Sequence, residues 1–122
     1  MSQKPGAPVY MFVFRNPENR PEPSPHQMQQ IFEKWMAWIH AMKAKGQYVA
    51  GEPLLDRPGK VLRGPGGAKV TDGPFAEAKE IVAGYMLIAA SSFEAAAGIA
   101  QGCPGLAMGG TVEVRQVMSI PT

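Results

Sequence analysis

The densest run of groups able to do chemistry is Val70-Thr71-Asp72-Gly73-Pro74-Phe75-Ala76-Glu77-Ala78-Lys79-Glu80. Four ionisable side chains, Asp72, Glu77, Lys79 and Glu80, fall within nine residues, immediately before a strongly apolar stretch. A carboxylate and an ammonium on such a loop can hold a small polar ligand or move a proton. Asp72, Glu77 and Lys79 are therefore the candidate catalytic residues, with Phe75 beside them as a binding surface. A structural alternative stands next to this. Asp-Gly-Pro is a turn-forming combination, Asp72 can accept hydrogen bonds from amides just downstream, and Phe75 can plug the loop into the core.

Three arginines, Arg15, Arg63 and Arg115, extend the candidate binding set. Arg15 and Arg115 end or line segments expected to be neighbouring strands. There they either pair with acids across a dimer or bind an anionic ligand, and pairing between subunits is the favoured alternative. Glu113, two residues before Arg115, belongs to the same group.

His26 falls in the first turn of a helix, where the positive end of the dipole disfavours a cation. A neutral surface imidazole is the simpler reading, and a ligand-binding or general-base role the sharper one. His40 lies on the flank away from the apolar stripe of that helix and is expected to be solvated. Cys103, between Gly102 and Pro104, sits where the local field does not favour a thiolate. The two histidines are far apart and Cys103 has no neighbouring ligand, so no metal spacing is present. Gly64-Pro65-Gly66-Gly67 lacks the Lys-Ser/Thr ending of a phosphate loop, and no cofactor is expected.

Several elements must position these groups. Val9 to Phe14 reads Val-Tyr-Met-Phe-Val-Phe, apolar on both faces and closed by Arg15-Asn16-Pro17, a first strand. Asn16 to Pro25, with prolines at 17, 21, 23 and 25, reads as an exposed loop. Ser24, Pro25 and Gln27 form a capping box that opens a helix, and Gly46 ends it. Its apolar stripe is Met28, Ile31, Phe32, Trp35, Ile39 and Met42. Tyr48 to Leu55, broken by Gly51 and Pro53, suits an edge strand. Val61-Leu62-Arg63 and Lys69-Val70-Thr71 form either a small hairpin or a long loop. Glu80 to Ala90 is a second strand apolar on both faces. Ser91 with Glu94 predicts a capping box for a helix from Ser92 to about Gln101, and Thr111 to Met118 alternates Val112 and Val114 inward against Thr111, Glu113 and Arg115 outward.

The order is strand, helix, strand, irregular insertion, strand, helix, strand. It predicts an α+β fold of ferredoxin-like βαββαβ type with an antiparallel sheet, in which the two strands that are apolar on both faces form the centre. Two helices cover one face only. Leaving about six large side chains of the other in water would forgo roughly 10 kcal/mol, so a homodimer packed sheet to sheet is expected.

With 122 residues, 45% of them hydrophobic and 18% charged, the chain fits one globular domain over 1–122, with a flexible N-terminus over 1–8. A net charge of +2, without a basic stripe, argues against nucleic acid as a partner. One cysteine excludes an internal disulfide. No apolar run approaches the ~20 residues that cross a bilayer, and the opening Met1-Ser2-Gln3-Lys4-Pro5-Gly6 lacks the apolar core of a secretory signal. A cytoplasmic protein is expected, without membrane contact.

The segment Thr71-Asp72-Gly73-Pro74-Phe75-Ala76-Glu77 with Lys79-Glu80, then Gly84-Tyr85, and Gly109-Gly110-Thr111-Val112-Glu113-Val114-Arg115 closely resembles the YCII-related family, in particular the group named for its Asp-Gly-Pro-Phe motif. Gly46 and Ala50-Gly51-Glu52-Pro53-Leu54 also resemble that family's second strand, so the resemblance runs from about Val9 onward. It implies a dimeric α+β barrel with a cleft between sheet and insertion. It further implies suspected enzymatic activity and, for some members, an association with sigma factors of the extracytoplasmic-function type. Shorter members have a suspected histidine on the first helix with a nearby aspartate; here, counting back from Gly46, Trp35 holds that histidine's place. Two functions are therefore carried forward. One is binding or transformation of a small polar organic molecule in that cleft; the other is a non-catalytic interaction or regulatory module with a protein partner.

Overall fold

The computed structural model describes residues 7–74 and 78–120. Strand β1 spans Val9–Pro17 and is organised by strict alternation. Tyr10, Phe12 and Phe14 are buried on one face, while Val9, Met11, Val13 and Arg15 point to the other. Three aromatic contacts seat the helices on the first face. Phe12 stacks on Trp38 at 6.3 Å, Phe14 meets the edge of Trp35 at 5.0 Å, and Tyr10 meets Phe93 at 5.8 Å.

Helix α1 spans Pro25–Ala44. Its capping box forms as the sequence requires: Gln27 N–H donates to Ser24 Oγ at 3.2 Å and Ser24 N–H donates to Gln27 Oε1 at 2.8 Å. Gly46, at φ +70°, turns the chain out of the helix. The apolar stripe packs on the core from Trp35 onward, and of its earlier members only Ile31 is partly buried. Met28 and Phe32 remain 51% and 64% exposed, because the aromatic row of β1 that receives the stripe ends at Phe14, opposite Trp35.

Strand β2 follows as Tyr48–Pro53, and the insertion folds as a hairpin of β3 (Gly59–Arg63) and β4 (Lys69–Gly73) joined through a 3₁₀ turn at Pro65–Gly67. The hairpin alternative is thus the one realised. Leu62 and Val70 are partners across it, yet are 61% and 53% exposed, since the hairpin projects from the body instead of packing on the main sheet. Strand β5 (Glu80–Ala89), helix α2 (Phe93–Ala100) and strand β6 (Thr111–Gln116) complete the chain. The predicted Ser91–Glu94 box is displaced by one residue. Ser92 is the N-cap, in extended backbone, and its Oγ accepts from Ala95 N–H at 3.0 Å. Ala95 has no side chain that could return the bond.

The main sheet runs β2-β5-β1-β6 with every neighbouring pair antiparallel, and β1 and β5 at its centre. This is the ferredoxin-like α+β arrangement read from the sequence. β1 outruns its expected end because a register shift between Phe14 and Arg15 lets it continue to Pro17 against Glu80. The N-terminal expectation is only partly within the described residues: 1–6 lie outside them, whereas the Pro8 carbonyl accepts from Ala90 N–H at 3.2 Å. No described helix is long and apolar enough to cross a membrane.

Candidate functional site

The face of the sheet away from the helices carries the chemistry that the strands can position. Cross-strand register builds it in rows. Glu52 on β2 lies opposite Tyr85 on β5, Tyr85 opposite Val13 on β1, and Val13 opposite Glu113 on β6. The next row is Ala50, Leu87, Met11 and Arg115. Beyond Val13 comes Arg15, opposite Val82 and Thr111. The floor is therefore apolar in the middle and charged at both edges, with acid on the β2 side and a mixed cluster on the β6 side.

That cluster is ordered by contact. Arg15 Nη1 donates to Glu113 Oε1 at 2.7 Å, and the second oxygen of Glu113 lies 3.9 Å from Arg115 Nη1. Arg15 thus finds an acid in its own chain, because β6 sits directly beside β1. Arg15 and Glu113 are 31% and 44% exposed and Arg115 is 73% exposed, so one guanidinium remains largely open to solvent.

The loop singled out by the sequence reaches the end of β1 beyond Arg15. Its downstream side is fixed where Glu18 N–H donates to the Lys79 carbonyl at 3.0 Å and Pro17 pairs with Glu80. Lys79 is exposed there. Its upstream side is on the hairpin, where Asp72 accepts from Lys60 Nζ at 2.6 Å with both side chains mostly exposed. The Gly73–Pro74 peptide between the two sides is cis. Phe75 and Glu77 lie outside the described residues. Arg63, at the end of β3, pairs across the hairpin with Lys69 and is exposed. His26 is exposed in the first turn of α1, and His40 is exposed farther along it. The structure therefore brings Arg15, Arg115 and Glu113 together, ties Lys79 to the Pro17 end of β1, of these three nearest to Arg15, and holds Asp72 on a separate hairpin.

Sequence reasoning missed Glu52 and Tyr85 as site residues. The available signal was alternation: Tyr85 falls between the buried Gly84 and Met86, so it must face the side without helices. Glu52 follows from its register with Tyr85. The Tyr48 phenol, whose hydroxyl donates to the Gly51 carbonyl at 3.3 Å, is pushed up from its ordinary pKa by burial, then by Glu52 and Tyr85. Lys43 Nζ sits 5.2 Å over its ring.

Trp35 and Cys103 belong to the core, not to this face. Trp35 packs on Phe14 and Trp38. Cys103 is buried, and that burial raises its thiol pKa despite the backbone amides of Gly105 and Leu106, which work in the opposite direction. A groove of about 340 Å³ between α1 and α2, lined in part by Trp38, Met42, Lys45 and Ile99, lies on the helix layer and includes none of the candidate residues. Among the described residues no group of three or more His, Cys, Asp or Glu is placed to hold a metal ion.

A search of curated proteins finds no match. The family model of the YCII-related domain matches residues 9–121, which takes in every strand and helix described above. On that match and the ferredoxin-like order that accompanies it, the chain belongs to the YCII-related domain family.

Proposed function

We propose that this YCII-related protein binds or transforms a small polar organic molecule at the end of the open sheet face, in a cleft bounded by the Asp-Gly-Pro-Phe loop. The observation that carries this reading is the Arg15–Glu113–Arg115 cluster bordering an apolar floor, with Tyr85 in the same row as Glu113 and Lys79 held at the Pro17 end of β1, beyond Arg15. Such a floor holds the carbon skeleton of a small molecule, and the guanidinium and carboxylate groups orient its polar atoms. Asp72, Glu77 and Lys79 are the acid, base and cation that the loop offers. Phe75, Arg63 and His26 complete the binding set proposed from the sequence. Proton transfer by a carboxylate is the minimal chemistry of this set.

A charge-bearing cleft works best away from bulk water, since electrostatic interactions strengthen as water is excluded. A second copy packed on the open face supplies that exclusion, and it covers Met11, Val13, Tyr85 and Leu87, which no described helix of the chain itself reaches.

The test is thermal unfolding of the full chain against a panel of small mono- and dicarboxylates, amino acids and neutral polar molecules. A panel member that raises the midpoint of the wild type but not of Glu113→Gln supports the reading. Equal responses of both chains, or none in either, overturn it.

A further inference from the structure

Arg115 is the least satisfied group of the cluster. Its Nη1 lies 3.9 Å from Glu113 Oε2, beyond hydrogen-bond reach, and its side chain is 73% exposed. Among the described residues none accepts a hydrogen bond from its guanidinium. Arg15, by contrast, is engaged at 2.7 Å by the other oxygen of Glu113. Glu113 thus draws Arg115 to the border of the floor without using its donors, and the cluster keeps a surplus of positive charge.

What stands next to that charge is apolar. The row that begins at Arg115 on β6 continues through Met11 on β1, Leu87 on β5 and Ala50 on β2. Met11 and Leu87 are half-buried, so each keeps apolar surface open to a ligand. At the far edge the sign of the charge reverses, because the exposed Glu52 follows Ala50 along β2 on the same face.

We infer that the ligand of this face is a monocarboxylate with an extended apolar body. The inference rests on the small-molecule reading above and names its ligand class. The carboxylate pairs with the Arg115 guanidinium, whose planar fork matches its two oxygens. The body lies across Met11 and Leu87, a span of about 10 Å for two strand spacings, and its burial there adds to binding. A neutral molecule of the same length leaves Arg115 without a partner. Glu52 selects against a second acid: a carboxylate at the far end of the body would lie over Leu87 and approach a group of its own sign.

Titration calorimetry of the full chain tests this with three probes of matched length: octanoate below its micelle concentration, octanamide and octanedioate. Octanoate is expected to bind the wild type about tenfold or more tightly than octanamide. Arg115→Gln, a change at an exposed side chain, should cost octanoate that same factor and leave octanamide unchanged. Equal affinities of octanoate and octanamide for the wild type overturn the inference, as does undiminished octanoate binding to Arg115→Gln. Octanedioate should bind more weakly than octanoate, and Glu52→Gln should raise its affinity about two- to fivefold. Octanoate should not respond to Glu52→Gln, since its carboxylate sits about 14 Å away across three strand spacings, beyond the screening length. Equal gains for both probes, or none for octanedioate, remove Glu52 from the selection. If octanoate fails to bind while another compound stabilises the wild type but not Glu113→Gln, the ligand class is wrong and the cleft stands. If no compound does so, the cleft reading falls as well.

Discussion

Arg15 on a central strand and Glu113 on an edge strand, 98 residues apart in sequence, meet at 2.7 Å on the face that the helices leave open. The contact exists because β6 returns beside β1, so that Val13 faces Glu113 and Arg15 faces Thr111 one row on. It links chain topology to site chemistry. Only a fold that brings the last strand beside the first can present both groups to one ligand.

Glu113→Gln keeps the shape and removes the charge. Because Arg15 and Glu113 are both partly exposed, solvent screens the pair, and the loss of stability is about 0.5 to 1 kcal/mol. Urea unfolding measures it. A loss above about 3 kcal/mol would mean that the cluster is a structural keystone instead of a surface site.

Alkaline stability follows from two phenol and thiol groups. Tyr48 and Cys103 both have pKa values raised above their ordinary 10.0 and 9.0 by burial first. The folded state therefore holds these protons more tightly than the unfolded state does. Their contribution is intact below the unfolded values and is lost as pH rises through the folded ones. Melting midpoints should fall above about pH 9. Cys103→Ala is expected to flatten the part of the fall that begins near pH 9, and Tyr48→Phe the part that begins near pH 10. Profiles that superimpose on the wild type would contradict both assignments.

Local signals were the most legible. The Ser24–Gln27 box and the Gly46 stop are satisfied within four residues, so tertiary context had little to change. The two-sided apolar patterns of β1 and β5 also read correctly, since only central strands are built that way. What failed to show depends on contacts distant in sequence. The continuation of β1 to Pro17 needs the bulge opposite Arg15, and the exposure of Phe32 depends on where β1 runs out of aromatic partners. The choice of Ser92 over Ser91 depends on which residue leaves the strand in extended backbone. At the site, Arg15 and Glu113 were both marked as candidates, but their contact within one chain appears only once β6 is placed beside β1. Asp72 read as a loop carboxylate, and its bond to Lys60 appears only once the hairpin register is known.

The unequal use of the α1 stripe gives a clean comparison. Phe12 is fully buried and Phe32 is 64% exposed, although both looked like core residues. Phe12→Ala should cost about 3 to 5 kcal/mol, a large share of the stability of a domain this size. Phe32→Ala should stay within about 0.5 kcal/mol. If chemical unfolding shows Phe32→Ala to be as damaging as Phe12→Ala, another surface covers the start of α1 in solution.

Gly84 holds the β2 edge close. A Cβ there would fall 2.8 Å from the Glu52 carbonyl oxygen and 3.1 Å from the Pro53 Cα, both backbone atoms that cannot swing aside. Gly84→Ala should push β2 away from β5, destabilise the chain by about 1 to 3 kcal/mol, and speed amide exchange along Tyr48–Pro53. Unchanged exchange in that strand would show that β2 yields without separating.

Asp72 separates a structural role from a functional one. Its bond to Lys60 is short, but both side chains are solvent-exposed on a projecting hairpin, where an ion pair contributes little. Asp72→Asn should therefore change urea-unfolding stability by less than about 1 kcal/mol. If the carboxylate serves the cleft, the same substitution removes the ligand-induced rise in melting midpoint while Lys60→Gln, which breaks the same bond from the other side, leaves it. Equal loss in both variants would assign the effect to hairpin geometry, and no loss in either would take Asp72 out of the site.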